Sequence, residues 1–160
     1  MELSSQLPYE ITEESEWNYS FITKHGIVYH DFFIDFSIYH SAFNVVYTFN
    51  IEPETDIPHP IDNRIAQTIA HLLKLFFSVR ERAMIMVCDN LDGKEEKRKI
   101  LFSRWFLKYD DGCIIKYDAA TTTDEYQLYV SIYLNKTNSR RDELVAAFYD
   151  LVKNNLYPID

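Results

Sequence analysis

Cysteine is nearly missing from this chain, glycine and proline are scarce, and no apolar run is long enough to cross a bilayer. The two cysteines, Cys88 and Cys113, are too few for a disulfide framework. Both sit inside apolar, strand-like runs, which predicts buried small hydrophobes in a reduced cytosol. With three glycines there is no phosphate-binding glycine loop, and neither Ser103 nor Ser131 sits in a Gly-x-Ser-x-Gly elbow. A membrane span needs about 20 consecutive apolar residues, and no window approaches that. The opening MELSSQLPYEITEESEW is acidic and has no apolar core, so it does not read as a signal peptide. A cytoplasmic protein without a membrane partner is the expectation.

Basic charge is also short. Sixteen Lys and Arg face 25 Asp and Glu, a net charge of −9, which argues against a nucleic-acid partner and suits a basic protein. What the chain has in quantity is apolar and aromatic surface: 47 % hydrophobic residues, with twelve Tyr and eleven Phe. That composition excludes disorder for all but the ends. A chain of 160 residues buries roughly 70 % of its extended-chain surface, enough for one core.

Residues 1–18 form a polar lead rich in Glu (Glu2, Glu10, Glu13, Glu14, Glu16) without sustained periodicity, a flexible segment or an edge extension. From Tyr19 alternation sets in. Tyr19 to Thr23 and Ile27 to Phe36 make a hairpin around His25-Gly26, where glycine can take positive φ. On the return strand Val28, Phe32, Ile34 and Phe36 are expected on the core face, with His30 the polar exception on that apolar face, opposite Ile27, Tyr29, Asp31, Phe33 and Asp35. A third strand spans Ala42 to Ile51. After a proline-rich, acidic break at Glu52 to Pro60, Asp62 is placed to cap a helix with Ile65, Ile69, Leu72, Leu73, Phe76 and Phe77 inward, ending near Arg80 or Glu81.

Met84 to Cys88 is nearly all apolar and fits a central strand. A second helix is expected after Gly93, apolar through Ile100, Leu101, Phe102, Trp105 and Phe106. Strands over Cys113 to Tyr117 and Gln127 to Asn135 follow, joined by a polar loop from Asp118 to Glu125. Leu128, Val130, Ile132 and Leu134 form the oily face of the last strand and Tyr129, Ser131 and Tyr133 its wet one. Ser139 with Asp142 or Glu143 resembles a capping box opening a final helix with Leu144, Val145, Phe148, Leu151 and Val152 inward, and Asn154-Asn155 suits its end. The order β-β-β-α-β-α-β-β-α predicts one two-layer α+β domain over residues 19–160. Its sheet is antiparallel or mixed, of about six strands, with three helices.

Several short motifs run through these elements: Phe21-Ile22-Thr23 before Gly26-Ile27-Val28-Tyr29, Asp62-x-Arg64-Ile65 opening the first helix, Val87-Cys88-Asp89 with Asp92-Gly93, and Phe102-x-x-Trp105-Phe106. In these the chain, from about Tyr19 to Leu156, resembles a family of small uncharacterised proteins of Bacteroidetes-type bacteria, classed as a domain of unknown function. The resemblance implies a bacterial, cytoplasmic, stand-alone domain and carries over no activity and no catalytic residue.

Polar groups suited to chemistry collect in three places. Asp89, Asn90 and Asp92 at the end of the central strand are of a type that holds a hard cation such as Mg²⁺, and equally of a type that makes a turn and a helix cap. Lys94, Lys97, Arg98 and Arg104 cluster at helical spacing into an anion patch, or into the charged outer face any surface helix needs. Tyr129, Ser131 and Tyr133 form an amphipathic row suited to an interface if that sheet face is open. The five histidines, His25, His30, His40, His59 and His71, form no close metal-ligand pair. Two readings follow. One is a non-enzymatic interaction or regulatory protein with a protein or homo-oligomeric partner and no cofactor, acting through its acidic surface and the Tyr row. The other is a metal-assisted phosphoester hydrolase or nuclease centred on Asp89 and Asp92, with Lys97 or Arg98 on a phosphate. The first is preferred, because the second lacks a third ligand and a group to activate a nucleophile.

Overall fold

The structure is a computed structural model of the full chain, described here for residues 7–55, 62–89, 112–122 and 127–159. Within these, seven strands form one mixed sheet in the order β1-β2-β3-β4-β5-β7-β6: β1 (Thr12–Ser15), β2 (Asn18–Ile22), β3 (Val28–Asp35), β4 (Val46–Pro53), β5 (Ala83–Asp89), β6 (Ile114–Thr122) and β7 (Gln127–Asn135). Helix α1 (Asn63–Phe77) stands between β4 and β5 in the chain, and α2 (Arg141–Lys153) follows β7. β4 and β5 pair in parallel. That pairing needs a long connection, which the segment containing α1 supplies. The helix expected after Gly93, the second of three, lies outside the described residues.

The chain resolves into two compact units, Met1–Ile34 with Phe49–Phe76, and Asp35–Thr48 with Phe77–Asp160. In the first unit the hairpin of β2 and β3 is antiparallel, with Phe21 opposite Tyr29. Gly26 closes it at φ 78°, and its N–H donates to the Thr23 carbonyl at 2.9 Å. The covered face of β3 is the reverse of the expected one: Tyr29, Asp31 and Phe33 are buried, while His30 and Ile34 are exposed. Alternation shows that a strand has two faces, not which face a helix will cover. The two carboxylates Asp31 and Asp35 disguised the covered one.

The additional strand, β1, lies in the acidic lead, so that segment is an edge extension rather than a loose end. Its sequence, TEES, has no apolar alternation, and all four residues are exposed. Pairing with β2 makes it a strand: Thr12 lies opposite Ser20 and Glu13 opposite Tyr19. Buried Ser20 also donates its hydroxyl to the Glu14 carboxylate at 2.6 Å. The turn between β1 and β2 puts Trp17 at φ 67°, a conformation costly for a bulky residue. Its ring packs edge-on against Phe33 and Phe76, at 5.6 and 6.3 Å, and that packing offsets the strain.

In the second unit β5 runs between β4 and antiparallel β7, a central position as expected. Ala83, Met84 and Ile85 are fully buried. β7 carries its oily face as read, with Leu128, Val130, Ile132 and Leu134 packed in one cluster with Leu144, Phe148 and Leu151 of α2. β6 extends to Thr122 and pairs with β7 from Ile114–Asn135 to Thr122–Gln127, so the residues expected as a polar loop from Asp118 onward begin as strand. Cys113 precedes β6 and is exposed, which corrects the buried reading: it falls just outside the paired, covered run. The side chain of Cys88 lies outside the described residues.

The caps divide in the same way. Asp62 caps α1 as expected, its Oδ1 accepting the Arg64 N–H at 3.0 Å. At α2, Arg140 holds the cap position without a side-chain cap bond. Ser139 instead donates its hydroxyl to Glu81 at 2.5 Å, a partner 58 residues away in the chain that no local capping pattern can reveal.

Candidate functional site

The first unit holds an open groove of about 430 Å³ lined by Tyr19, His71, Leu72 and Leu75 together with Pro8 to Ile11 and Glu13. Three pieces of local chemistry build it. Glu13 and Tyr19, directly opposite on β1 and β2, point to the same face of the sheet. His71 and Leu75 lie four residues apart on α1 and so share a helix face with Leu72 beside them. The third wall, Pro8 to Ile11, is tied down by Tyr9.

Tyr9 is the pin. Its N–H donates to Thr68 Oγ1 at 2.7 Å, its hydroxyl donates to Asp62 and accepts the Lys24 N–H at 3.2 Å, and its ring stacks on Phe21 at 5.9 Å. The Arg64 guanidinium lies over the same ring, 3.9 Å from its centroid, and donates Nε–H to the Leu7 carbonyl at 2.8 Å. Burial, reinforced by the Asp62 carboxylate, raises the Tyr9 pKa above that of an ordinary tyrosine, so the hydroxyl stays a donor. Glu10, between Tyr9 and Ile11, is thereby held at the groove, with Glu13 two residues beyond Ile11. Glu10 and Glu13 are exposed and are the charged groups among the lining residues.

Beneath the same sheet face Asp31 is 1 % exposed, and neither carboxylate oxygen has a hydrogen-bond partner. Burial without compensation pushes its pKa up to about 7. Tyr29 rises as well, first from its own burial and then from the nearby carboxylates of Asp62 and Asp31. Reading Asp31 onto the solvent face hid this group. The signal available was its position between Tyr29 and Phe33, two large rings on one face of a strand.

In the second unit the polar residues Asn138 to Glu143 surround a cavity of about 420 Å³ at the start of α2, and much of their hydrogen-bonding capacity is already used. Arg140 makes a two-point pair with Glu143 at 3.1 and 3.0 Å and donates to Asn44 and to the Ala42 carbonyl at 2.7 Å. Bonds from Arg140 hold the Glu143 carboxyl below the usual range, and bonds from Ser139 do the same for Glu81. The arrangement fastens α2 to its surroundings more than it opens a binding site.

A model of the family of unknown function DUF6169 matches residues 61–150, more than half of the chain. The chain belongs to this family. Among curated proteins and among solved structures nothing matches it. The DUF6169 match takes in α1, β5, β6, β7 and most of α2. It includes the helical side of the groove and leaves Pro8 to Tyr19 outside.

Within this DUF6169 chain the residues singled out from sequence fall as follows. Tyr129, Ser131 and Tyr133 do not form an open row: Tyr133 is 3 % and Ser131 6 % exposed, and only Tyr129 is half-buried. Ser131 donates its hydroxyl to Asp118, and the Lys116 ammonium lies 5.7 Å from the Tyr133 ring centroid. The row is interior, and the expectation of a docking face there is corrected. The wet-face pattern misled because Tyr and Ser tolerate burial once paired. Asp89 closes β5 opposite Leu128. Its side chain lies outside the described residues, as do Asn90, Asp92, Lys94, Lys97, Arg98 and Arg104. His30, expected on the core face, is exposed and pairs with Glu54 at 3.4 Å. Among the described residues no helix is long and apolar enough to cross a membrane.

Proposed function

We propose that the chain is a non-enzymatic binding protein that engages a basic protein partner through its acidic surface. The observation that carries this reading is the groove of the first unit, where the apolar floor of Tyr19, Leu72 and Leu75 is flanked by the carboxylates of Glu10 and Glu13. Apolar anchoring beside charge of one sign is how protein interfaces combine affinity with choice of partner. The net charge of −9 adds long-range attraction for a basic chain and repulsion for nucleic acid. A reduced cytoplasm is the setting that the two-cysteine composition supports best.

Native mass spectrometry of the purified chain, with and without Mg²⁺ or Mn²⁺, tests the reading in one experiment. The expected result is a chain that takes up a basic protein from an added mixture of acidic and basic proteins, independently of the metal and less readily as salt rises. A chain that ignores basic proteins but holds one cation tightly would overturn it in favour of metal-assisted chemistry at the Asp89 loop.

A further inference from the structure

We infer that the groove of the first unit takes an extended segment of a partner protein in which an aliphatic or aromatic side chain stands next to Lys or Arg. The inference rests on the interaction reading above and names the chemistry of its partner. Its first support is charge. Glu10 and Glu13 line the groove, both are exposed, and among the described residues no Lys or Arg lines it. An incoming ammonium or guanidinium meets attraction from both carboxylates, and an acidic segment meets repulsion. The second support is the floor. Leu75 is 53 % exposed although it sits on the helix that forms the unit's core, and Tyr19 and Ile11 are only half-buried beside it. Covering these groups removes apolar surface from water, which a fully solvated lysine cannot do, so the segment needs an apolar residue as well as a charge.

Size and shape select a segment over a small molecule. About 430 Å³ holds one large apolar side chain with its neighbours. The site is an open trough, whereas small-molecule sites enclose most of their ligand. The trough also runs beside β1, the edge strand of the sheet. Edge strands are open to pairing with any extended chain. Glu13 and Glu14 on β1 repel acidic strands, a second copy of this chain's own edge among them, and admit a basic one.

The test is fluorescence anisotropy of the full chain with three labelled synthetic peptides of equal length: alternating lysine and leucine, oligolysine, and alternating glutamate and leucine. The lysine–leucine peptide is expected to bind at least about tenfold more tightly than oligolysine, roughly the 1.4 kcal/mol that a partly buried leucine supplies, and the glutamate peptide not at all. Glu13→Lys and Leu75→Glu should each weaken binding about tenfold or more while the circular dichroism spectrum stays unchanged. Glu52→Lys makes the same charge change at an exposed residue of β4 that does not line the groove, and it should leave the affinity within about twofold at physiological salt. If oligolysine binds as tightly as lysine–leucine, or Glu52→Lys weakens binding as much as Glu13→Lys, the groove is not the site. The broader reading of an acidic surface would then stand without it. If none of the peptides binds, the inference is overturned, and the mass-spectrometric experiment decides the broader reading by itself.

Discussion

The first unit is built mainly from stacked rings and the second from an aliphatic cluster around Phe36, Phe43 and Phe148. Among the described residues the buried groups left without a hydrogen-bond partner differ too: a carboxylate, Asp31, in the first, and the donors Asn138 Nδ2 and Arg141 Nε in the second. In the first, Tyr9, Phe21 and Tyr29 stack in a row with centroid distances of 5.9 and 5.2 Å, and Phe33 lies nearly parallel to Phe76 at 4.8 Å. Flat rings bury much area and meet in stacked or edge-on arrangements set by their quadrupoles. The same interior holds Asp31 without a hydrogen-bond partner and Thr68 at 0 % exposure. In the second, Val46, Ile85, Val130, Ile132, Leu134, Leu144 and Leu151 close around Phe148, and the charged groups Arg140, Glu143 and Glu81 are paired at its margin. The unit with the uncompensated carboxyl also holds the groove of about 430 Å³.

The sharpest way to break this contrast is to truncate the centre of the second unit. Phe148→Ala removes a ring of 0 % exposure and should cost about 3–5 kcal/mol in urea-induced unfolding. A loss under about 1 kcal/mol would mean that the aliphatic cluster is far looser than its burial implies.

The next effect belongs to Asp31 and depends on pH. Its pKa, about 7 when folded against 3.8 as the ordinary value, means that the folded chain favours the protonated carboxyl. The advantage is complete below the unfolded value and is lost progressively as pH rises towards 7. At about 1.4 kcal/mol per unit the loss reaches at most about 4 kcal/mol. Asp31→Asn, which cannot ionise, should therefore be more stable than the wild type by a margin that grows between pH 4 and pH 7. Thermal melts over that range read it directly, and parallel curves for the two proteins would show that Asp31 is hydrated or paired.

A smaller change sharpens the link between the first unit's core and its groove. Thr68 Oγ1 accepts the Tyr9 N–H at 2.7 Å and donates to the Arg64 carbonyl at 2.6 Å. Thr68→Val keeps the shape and leaves the Tyr9 N–H orphaned, at a cost of about 1–2 kcal/mol. It should also speed amide exchange at Tyr9 to Ile11, in the wall that Tyr9 holds, and so weaken peptide binding without touching a groove side chain. Unchanged exchange there would assign the wall's position to Arg64 and its contact with Leu7.

Much of the fold was legible because the physics behind it is local. The hairpin at Gly26 follows from the need for positive φ in a tight turn. The Asp62 cap follows from a carboxylate two residues before an orphan N–H, and the inner face of β7 follows from an unbroken alternation of Leu, Val, Ile and Leu. Elsewhere the local signal was absent or pointed the wrong way. The residues of β1 look like a solvated acidic lead, since β2 and not their own pattern makes them a strand. Asp31 looked like a solvent-facing residue and Tyr133 like an exposed ring, although both are buried. Ser139 had the spacing of a capping box and found Glu81 instead.

For the groove, the sequence supplied the ingredients but not their meeting. Composition alone determined that the chain is acidic, rich in rings and poor in cysteine, because those properties sum over residues wherever they lie, and the order of periodic segments determined the α+β class. Which face of β3 is covered, whether the Tyr129 to Tyr133 row meets water, and that Glu13 stands beside Tyr19 and Leu75 were decided only by tertiary structure. A strand's alternation is symmetric between its two faces, and the helix or strand that breaks the symmetry comes from a distant part of the chain.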